Sequence, residues 1–252
     1  MSFNGSKSGY HVLYKELAWI YDEIYAYIFP YEEIFDFVSR VLEKYGCRKI
    51  LEVACGTGRL METLEKNGYE VTGLDLSEEM LEIARKRTEG KLLRQDMRNI
   101  KVDEFFDALI CLGRSFTYML TDNDVEKALK SFNSALKSGG VLIFDNFDAE
   151  QKDESYFKEW KEKIFELGTF RVTRLSKSFD YDERNNSWLV KWKYIVERDD
   201  KKERVYDQAR LRAFHETYLK EKLGKCGFHV LESIHKWNSL ILIAKKTLMS
   251  VP

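Results

Sequence analysis

Between residues 48 and 147, short apolar runs alternate with longer amphipathic segments. The runs predict strands near residues 49–54, 70–75, 91–95, 106–112 and 141–147, and the amphipathic segments predict helices near 58–67, 78–88 and 122–137. The run Ser138-Gly139-Gly140 is expected to end the last of these helices. Continuously apolar strands separated by helices are typical of a parallel sheet covered on both faces. The pattern therefore predicts an α/β fold with a doubly wound sheet.

The flanking parts of the chain follow other periods. Residues 10–44 are helical in pattern, with a break at Pro30, and predict an N-terminal helical cap. Between about residues 168 and 214, aromatic and charged residues alternate with period two. This period predicts a three-stranded antiparallel meander, with strands near 169–181, 187–198 and 203–214.

The C-terminal residues are predicted to return to the parallel sheet. A helix near 215–224 precedes strands near 229–235 and 239–246, which would complete a seven-stranded sheet with an antiparallel last strand. We expect three units. Residues 1–44 form a helical cap, residues 45–147 and 215–252 form the core, and residues 148–214 form an inserted antiparallel β lid or substrate region.

A turn of small residues after the first strand gives the first chemical signal. Gly56 and Gly58 can adopt positive φ and let the backbone approach a ligand closely. A helix begins directly after them, so its free N–H groups face the same ligand. Asp75 ends the second strand, where an acid accepts hydrogen bonds from both hydroxyls of a ribose. These residues predict a nucleoside-binding site.

Neighbouring residues discriminate between nucleoside cofactors. The dinucleotide fingerprint G-x-G-x-x-G needs a third small residue, but that position is Met61 counted from Gly56 and Arg59 counted from Ala54. No Lys-Ser or Lys-Thr pair follows the turn, as a phosphate-binding loop requires. Glu52 would repel a pyrophosphate and attract the α-ammonium of a methionine moiety. An acid at this position favours S-adenosylmethionine.

Residues 52–58, with the sequence EVACGTG, resemble the first motif of class I S-adenosylmethionine-dependent methyltransferases, with Ala54 where many members have glycine. Residues 73–81 resemble the second strand and helix of that family, and residues 95–98 resemble the exit of its third strand. Residues 106–111 resemble its fourth strand, and residues 135–143 resemble the loop before its fifth strand. The series is similar to the small-molecule branch, which includes glycine-type and aminosugar N-methyltransferases. The resemblance implies a Rossmann-like seven-stranded sheet and S-adenosylmethionine as cofactor.

The resemblance also implies a role for each residue of the cofactor site. Glu52 would bind the methionine ammonium, Asp75 the ribose hydroxyls and Asp96 the adenine amino group. Leu76 and Met97 would lie on the adenine faces, although Met97 could be ordinary core. The remaining members of the expected cofactor site are Ala54, Gly56, Thr57, Gly58, Met80 and Cys111.

Candidate substrate residues lie near the ends of predicted elements. Arg114 and Tyr118 follow the fourth strand, at the edge where doubly wound sheets bind ligands. Arg114 could instead pair with a neighbouring carboxylate, and Tyr118 could pack on the next helix. Tyr21 resembles the N-terminal tyrosine that closes over cofactor and substrate in related small-molecule enzymes, or it packs within the helical cap. Tyr21 and Tyr118 are candidate catalytic residues.

Three further residues come from the end of the predicted insertion. His215 is a third catalytic candidate, because an imidazole could accept a proton from the substrate, or it merely lines a turn. Arg210 and Arg212 share a strand face that could bind a substrate carboxylate or phosphate, or could be solvated. Asp145 and the residue after it resemble metal-dependent catechol-type enzymes, but the acid expected after the fourth strand is missing, so no metal is expected.

Composition limits the partners. The chain has 41 basic and 42 acidic residues and a net charge of −1, which gives no general attraction to nucleic acid or to an anionic membrane. Its four cysteines form no C-x-x-C pair, and neither a signal peptide nor an apolar span of membrane length occurs. We expect a cytoplasmic monomer or homodimer.

The sequence thus predicts methyl transfer from S-adenosylmethionine to an amine or hydroxyl of a small polar molecule, through positioning and solvent exclusion. An RNA or protein methyltransferase and a non-catalytic cofactor-binding regulator remain alternatives.

Overall fold

The computed structural model describes residues 12–151, 154–198 and 201–247. The helices of this part of the chain are α1 (Ala18–Ile28), α2 (Tyr31–Lys44), α3 (Arg59–Lys66), α4 (Glu78–Ala84), α5 (Asp122–Ala135), α6 (Ser155–Lys158) and α7 (Glu216–Lys225). The strands are β1 (Lys49–Val53), β2 (Glu70–Asp75), β3 (Lys91–Arg94), β4 (Phe106–Cys111), β5 (Leu136–Asn146), β6 (Lys161–Leu167), β7 (Phe170–Asp182), β8 (Ser187–Arg198), β9 (Lys201–Arg212), β10 (Phe228–Lys236) and β11 (Ser239–Lys246). Short 3-10 turns occupy Val12–Tyr14, Met97–Asn99 and Ser115–Tyr118.

The larger sheet has seven strands in the order β10-β11-β5-β4-β1-β2-β3. Strands β1 to β5 pair with one another in parallel, whereas β11 pairs antiparallel with both β5 and β10. The predicted doubly wound α/β fold is confirmed. The chain order reverses between β1 and β4, and ligands bind at the carboxyl edge of such a sheet at this point.

Both faces of this sheet are covered, because successive strand residues point to opposite sides. Leu51 and Leu109 pack with residues of α5 and α7 on one face. Ile50 and Ile110 pack with residues of α2 and α3 on the other. All four side chains are fully buried, so the continuous apolar runs of the sequence correspond to strands enclosed on both sides. No helix of the described residues is long and apolar enough to cross a membrane.

The N-terminal cap is helical, as predicted. Its break at Pro30 is confirmed, because α1 ends at Ile28 and α2 begins at Tyr31. Residues 1–11 of the predicted cap lie outside the described part of the chain. Helix α2 covers the large sheet, but α1 buries Ile20 and Ile24 against residues of the second sheet.

The second sheet is antiparallel and lies between β5 and α7 in the chain, with the order β6-β7-β8-β9. The prediction of three strands is wrong, because β6 adds a fourth. Only Phe165 and Leu167 are buried in β6, while Ile164 on the opposite face is 43% exposed. This apolar alternation is too short to indicate a strand in the sequence.

The expectation that Ser138-Gly139-Gly140 ends a helix is also wrong. Helix α5 ends at Ala135, and Leu136 already pairs with Phe106 of β4. The three residues lie within β5, where the register with β4 shifts. A Cβ on Gly140 would lie 3.1 Å from the carbonyl oxygen of Asp107, so close approach of the backbones explains the glycine.

Candidate active site

The turn between β1 and α3 presents its backbone at the carboxyl edge of the large sheet. Ala54, Gly56 and Gly58 have φ of +57°, +55° and +76°. A Cβ on Gly58 would lie 3.1 Å from the Cβ of Ala84, so Gly58 allows α3 and α4 to pack closely. A Cβ on Gly56 would meet the ring of Tyr21 at 3.9 Å. The two glycines thus serve different purposes: Gly58 permits close packing, whereas a Cβ on Gly56 would make only an ordinary contact with Tyr21, so its positive φ explains the glycine.

Asp75 is held at the end of β2 by two backbone groups. The N–H of Gly56 donates to Oδ2 and the N–H of Ser77 to Oδ1, each at 2.9 Å. Burial raises the pKa of Asp75, and these hydrogen bonds oppose the rise. A carboxylate can accept about four hydrogen bonds, so each oxygen retains the capacity to accept one ribose hydroxyl.

Glu52 is the buried acid of the site. It is 7% exposed, and its Oε2 is buried without a hydrogen-bond partner among the described residues. Burial, followed by the charges of Asp75 and Glu65, raises the pKa of Glu52 to about 8. Buried carboxylate oxygens are normally hydrogen-bonded, and a ligand ammonium would supply both a donor and a compensating charge. Glu52 therefore fits the α-ammonium of S-adenosylmethionine.

Asp96 lies directly after β3 and is engaged by Arg98. Its Oδ1 accepts from the backbone N–H of Arg98 at 2.8 Å, and its Oδ2 accepts from the guanidinium at 2.6 Å. The same guanidinium reaches Asp124 at 2.8 Å. Burial acts to raise the pKa of Asp96, but the bonds from Arg98 lower it. A role of Asp96 on the adenine amino group stays a prediction.

The other expected adenine and cofactor residues differ in depth. Leu76 and Met97 are half-buried, and Leu76 lines a groove of about 150 Å³ together with Ser77 and Arg94. Met80 and Cys111 are buried. Leu76 and Met97 can therefore present apolar surface to a ligand, whereas Met80 and Cys111 have almost no exposed surface with which to do so.

Four tyrosines, named here the tyrosine cluster, lie at the turn: Tyr14, Tyr21, Tyr25 and Tyr118. The rings of Tyr21 and Tyr25 stack at 4.0 Å, Tyr14 meets Tyr21 edge-on at 5.5 Å, and the hydroxyls of Tyr14 and Tyr118 are 3.0 Å apart. Burial raises the pKa of Tyr14, Tyr21 and Tyr118 well above the usual range. These hydroxyls stay protonated at neutral pH and can act as hydrogen-bond partners. Sequence analysis missed Tyr14, which precedes the regular helix.

Residues 12–17, named here the strap, connect the two sheets across this site. The carboxylate of Asp207 in β9 accepts from the backbone N–H groups of Val12 and Leu13, each at 3.3 Å. At the other side, the hydroxyl of Ser77 donates to the carbonyl oxygen of Tyr14 at 2.5 Å. The strap therefore joins the inserted sheet to the turn after β2. Nothing in the sequence signals the contact with Asp207, because it links residues 195 positions apart.

The side chain of Thr57 is used for packing. Its hydroxyl donates to Oδ1 of Asp22 at 2.5 Å, and Asp22 also accepts from Arg59 and Arg87, each at 2.8 Å. Burial would raise the pKa of Asp22, but the bonds from Arg87, Arg59 and Thr57 lower it to about 2. This network fixes α1 to the start of α3. It leaves the backbone N–H of Thr57, rather than the hydroxyl, to meet a cofactor.

The sequence and fold of this chain are similar to those of known proteins. Residues 50–140 match a family model described as a methyltransferase domain. The provisionally named methyltransferase YqeM of Bacillus subtilis (strain 168) is 32% identical over 228 residues, which is 87% of each chain. The chain belongs to the class I S-adenosylmethionine-dependent methyltransferases. S-adenosylmethionine is therefore the cofactor and methyl donor of this chain. Glu52 and Asp75 are suited to bind it.

The methyltransferase also resembles proteins whose names include a substrate. A glycine/sarcosine N-methyltransferase of Parasynechococcus marenigrum (strain WH8102) is 37% identical over 139 residues, or 52% of this chain and 49% of that protein. The solved structure of the sugar N-methyltransferase KedS8 from Streptoalloteichus sp ATCC 53650 has a TM-score of 0.82 at 22% identity, over 98% of this chain and 97% of that one. The latter likeness is one of fold.

In this methyltransferase, Arg114 is part of the frame of the site. Its Nε donates to Ser239 at 2.9 Å, its Nη2 donates to the carbonyl oxygen of Trp237 at 2.6 Å, and the guanidinium lies 4.7 Å from the ring centre of Phe147. Its backbone N–H donates to Asp145 at 2.7 Å. Burial raises the pKa of Asp145 to about 6 against this bond. The guanidinium thus bonds a hydroxyl and a carbonyl oxygen, and it is the backbone N–H of Arg114, not the side chain, that meets the neighbouring carboxylate.

Arg210 and Arg212 share the face of β9 opposite to that of Asp207; Arg210 is half-buried there and Arg212 is buried. Arg210 forms an ion pair with Asp180, and Arg212 donates to Asp122 at 2.9 Å. Asp207, at an odd-numbered position of the same strand, points instead to the inner face, which meets the strap. The structure brings the two arginines to carboxylates of the protein and does not bring them to the tyrosine cluster.

His215 immediately precedes α7 and is half-exposed. Its Nδ1 lies 3.8 Å from a carboxylate oxygen of Glu150. No hydrogen bond or ion pair joins His215 to the tyrosine cluster within the described ranges. Its position agrees with the alternative in which it lines the turn.

Proposed function

We propose that this methyltransferase transfers the methyl group of S-adenosylmethionine to an amine or hydroxyl of a small polar molecule. The observation that carries the proposal is that the tyrosine cluster, the strap and the inserted sheet enclose the turn between β1 and α3, which contains Gly56. Tyr21 covers the turn at Gly56, and Tyr118 packs on an apolar cluster that includes Ala209 and Leu211 of β9. Concave, largely apolar sites with a few polar groups are typical of small-molecule binding.

When bound, S-adenosylmethionine supplies an electrophilic methyl group on a sulfonium. In the proposal Glu52 binds its ammonium, Asp75 its ribose hydroxyls and Asp96 its adenine amino group. The hydroxyls of Tyr21 and Tyr118 orient the nucleophile of the substrate and exclude water, which is the main contribution a protein makes to such a displacement. Their raised pKa values make them hydrogen-bond partners and not bases at neutral pH.

Three candidate substrate residues and one catalytic candidate have no place in this proposal. Arg114, Arg210 and Arg212 each have partners within the protein, and His215 lies beside Glu150. The names of the relatives, which act on glycine, sarcosine and a sugar, support a small acceptor. The four unpaired cysteines support a cytoplasmic location as part of the proposal.

A methyl-transfer screen tests the proposal. The protein is incubated with tritiated-methyl S-adenosylmethionine and separate fractions of cell extract that contain small molecules, RNA or protein. We expect label in the small-molecule fraction, loss of labelling in Asp75→Ala, and full labelling in Asp103→Ala, which changes an exposed acid outside the site.

Two other results would contradict the proposal. Label in RNA or in protein, with none in small molecules, would identify a macromolecular acceptor. Tight binding of S-adenosylhomocysteine to the wild type, without label in any fraction, would identify a cofactor-binding regulator.

A further inference from the structure

Arg174 lies on the inner face of the inserted sheet. In β7 it is opposite Tyr194 of β8 and Lys163 of β6. Tyr194 is 1% exposed and packs in one apolar cluster with Leu13 of the strap and Ile24 of α1. Directly opposite residues of antiparallel strands point to the same face. Arg174 is therefore directed to the side of the sheet that the strap and α1 cover.

Arg174 has no carboxylate partner in the part of the chain that the structure describes. Its Nε is buried without a hydrogen bond, and its Cζ lies 5.8 Å from the ring centre of Phe165. Arg171, on the opposite face of the same strand, forms an ion pair with Glu166 at 3.1 Å. Arg174 is half-buried as a residue, and a buried N–H group is normally hydrogen-bonded. The unpaired Nε on the inner face is therefore a hydrogen-bond donor, on a cationic side chain, that suits an anionic ligand.

Two buried hydroxyls continue this face towards the tyrosine cluster. Ser176 and Ser178 follow Arg174 at alternate positions of β7 and are 8% and 5% exposed. Ser176 is opposite Trp192, and Trp192 packs against the same apolar cluster as Tyr118. Hydroxyl donors thus line the strand between the guanidinium and the tyrosine cluster.

Tyr194, which lies opposite Arg174, links it to the tyrosine cluster, because Tyr194 packs in one apolar cluster with Tyr14, Tyr21 and Tyr25. Burial raises the pKa of Tyr194, and the charged or ionisable groups that also act on it are Tyr25, Arg174, Asp207 and Tyr118. Arg174 is the cation of this set. The acid of the set, Asp207, accepts the N–H groups of the strap.

We propose that Arg174 anchors an anionic group of the substrate, a carboxylate or a phosphate, while the nucleophile of the substrate lies at the tyrosine cluster. The inference rests on the proposed function and adds the substrate class: a small amine or alcohol that also carries an anion. A planar guanidinium donates two parallel hydrogen bonds to such a group, and Ser176 and Ser178 can donate further ones. Arg174 binds the substrate and takes no part in the chemical step.

Anion binding tests the anchor before the substrate is known. Acetate or inorganic phosphate is titrated, at constant ionic strength, into protein saturated with S-adenosylhomocysteine, and binding is measured by calorimetry. We expect one of the two anions to bind the wild type and Arg171→Met equally, and to bind Arg174→Met roughly tenfold more weakly or worse. The anion that binds distinguishes a carboxylate substrate from a phosphate substrate. Equal binding to Arg174→Met and wild type, or no binding of either anion to wild type, would overturn the proposal.

Thermal unfolding without anion separates a binding role from a structural one. Because Arg174 has no ion-pair partner to lose, Arg174→Met should have the same Tm as the wild type or a higher one. A clearly lower Tm, with anion binding retained, would assign Arg174 to the fold instead.

The methyl acceptor found in the labelling screen completes the test. Arg174→Met should raise KM for that acceptor roughly tenfold or more with little change in kcat, and Arg174→Lys should recover part of the loss. An unchanged kcat/KM in Arg174→Met would overturn the anchor and leave the proposed function intact. Anion binding that depends on Arg174, in a protein that labels no small molecule, would leave the anion site intact and overturn the proposed function.

Discussion

Glu52 lies near the end of β1 with one carboxylate oxygen that has no hydrogen-bond donor among the described residues. Burial raises its pKa from 4.5 to about 8, so between these pH values the folded protein holds a proton that the unfolded chain has lost. The stability gained from this proton is fully present below pH 4.5 and is lost as the pH rises through about 8. A bound ammonium reverses the preference, because it favours the ionised carboxylate.

We expect Glu52→Gln to have a higher Tm than the wild type at about pH 9 without ligand, and to differ less at about pH 5, because glutamine cannot ionise. The same change should weaken S-adenosylhomocysteine binding roughly tenfold or more, since the ammonium loses a charged partner. Thermal unfolding across this pH range and calorimetry measure the two effects. Glu70→Gln is the control, because Glu70 is an exposed acid at the start of β2, at the end of that strand away from Asp75. Parallel pH profiles for wild type and Glu52→Gln would show that folding does not raise the pKa of Glu52.

At the scale of elements, α1 is fixed to the turn between β1 and α3 by charge as well as by apolar packing. Asp22 of α1 accepts hydrogen bonds from Thr57, Arg59 and Arg87, three residues of the turn, α3 and the segment after α4. Its pKa is lowered from 3.8 to about 2. The stabilisation is therefore complete above pH 3.8 and is lost as the pH falls through about 2.

Asp22→Ala should reduce the free energy of unfolding by an amount at or below the roughly 3–5 kcal/mol typical of a broken buried pair, because Arg59 and Arg87 keep some exposure to water. Denaturant unfolding at neutral pH measures the loss, which should shrink in acid. Asp36→Ala, at an exposed acid of α2, should change stability little. A similar loss in both variants would show that the network around Asp22 contributes nothing specific.

At the scale of the whole molecule, the strap, α1 and the inserted sheet, named here the cover, are joined by contacts next to the candidate cofactor site. The strap contacts Asp207 on one side and Ser77 on the other, and α1 packs against the inserted sheet. In the proposal the cofactor binds to Asp75, which precedes Ser77 by two residues. Opening of the cover would therefore accompany cofactor exchange.

We expect amides of residues 12–28 and 161–212 to exchange with deuterium more slowly when S-adenosylhomocysteine is bound, with smaller changes in the large sheet. Asp207→Ala should raise the dissociation rate of S-adenosylhomocysteine severalfold, because the strap loses its acceptor on β9. Gln208→Ala, on the exposed face of the same strand, should leave the rate unchanged. Identical exchange with and without ligand would show that the cover is static.

The sequence by itself determined the large sheet and the cofactor half of the site. Glu52 and Asp75 lie on two adjacent strands of one β-α-β unit, with Gly56 in the turn after the first strand, so their proximity follows from local geometry. Apolar periodicity also located most helices and strands, because strands buried on both faces and helices buried on one face leave a regular pattern. The pattern failed at β6, where few positions are buried.

Only the tertiary structure decided the substrate half. Period two shows that Arg210 and Arg212 share one face of β9 and that Asp207 lies on the other, but it cannot show which face is covered. That choice depends on the strap and α1, which meet β9 and β8 through contacts between distant parts of the chain. These contacts put Arg174 and Tyr194 on the inside and leave Arg210 and Arg212 to pair with Asp180 and Asp122. Long-range packing assigns the inner face, and no local property of the sequence encodes it.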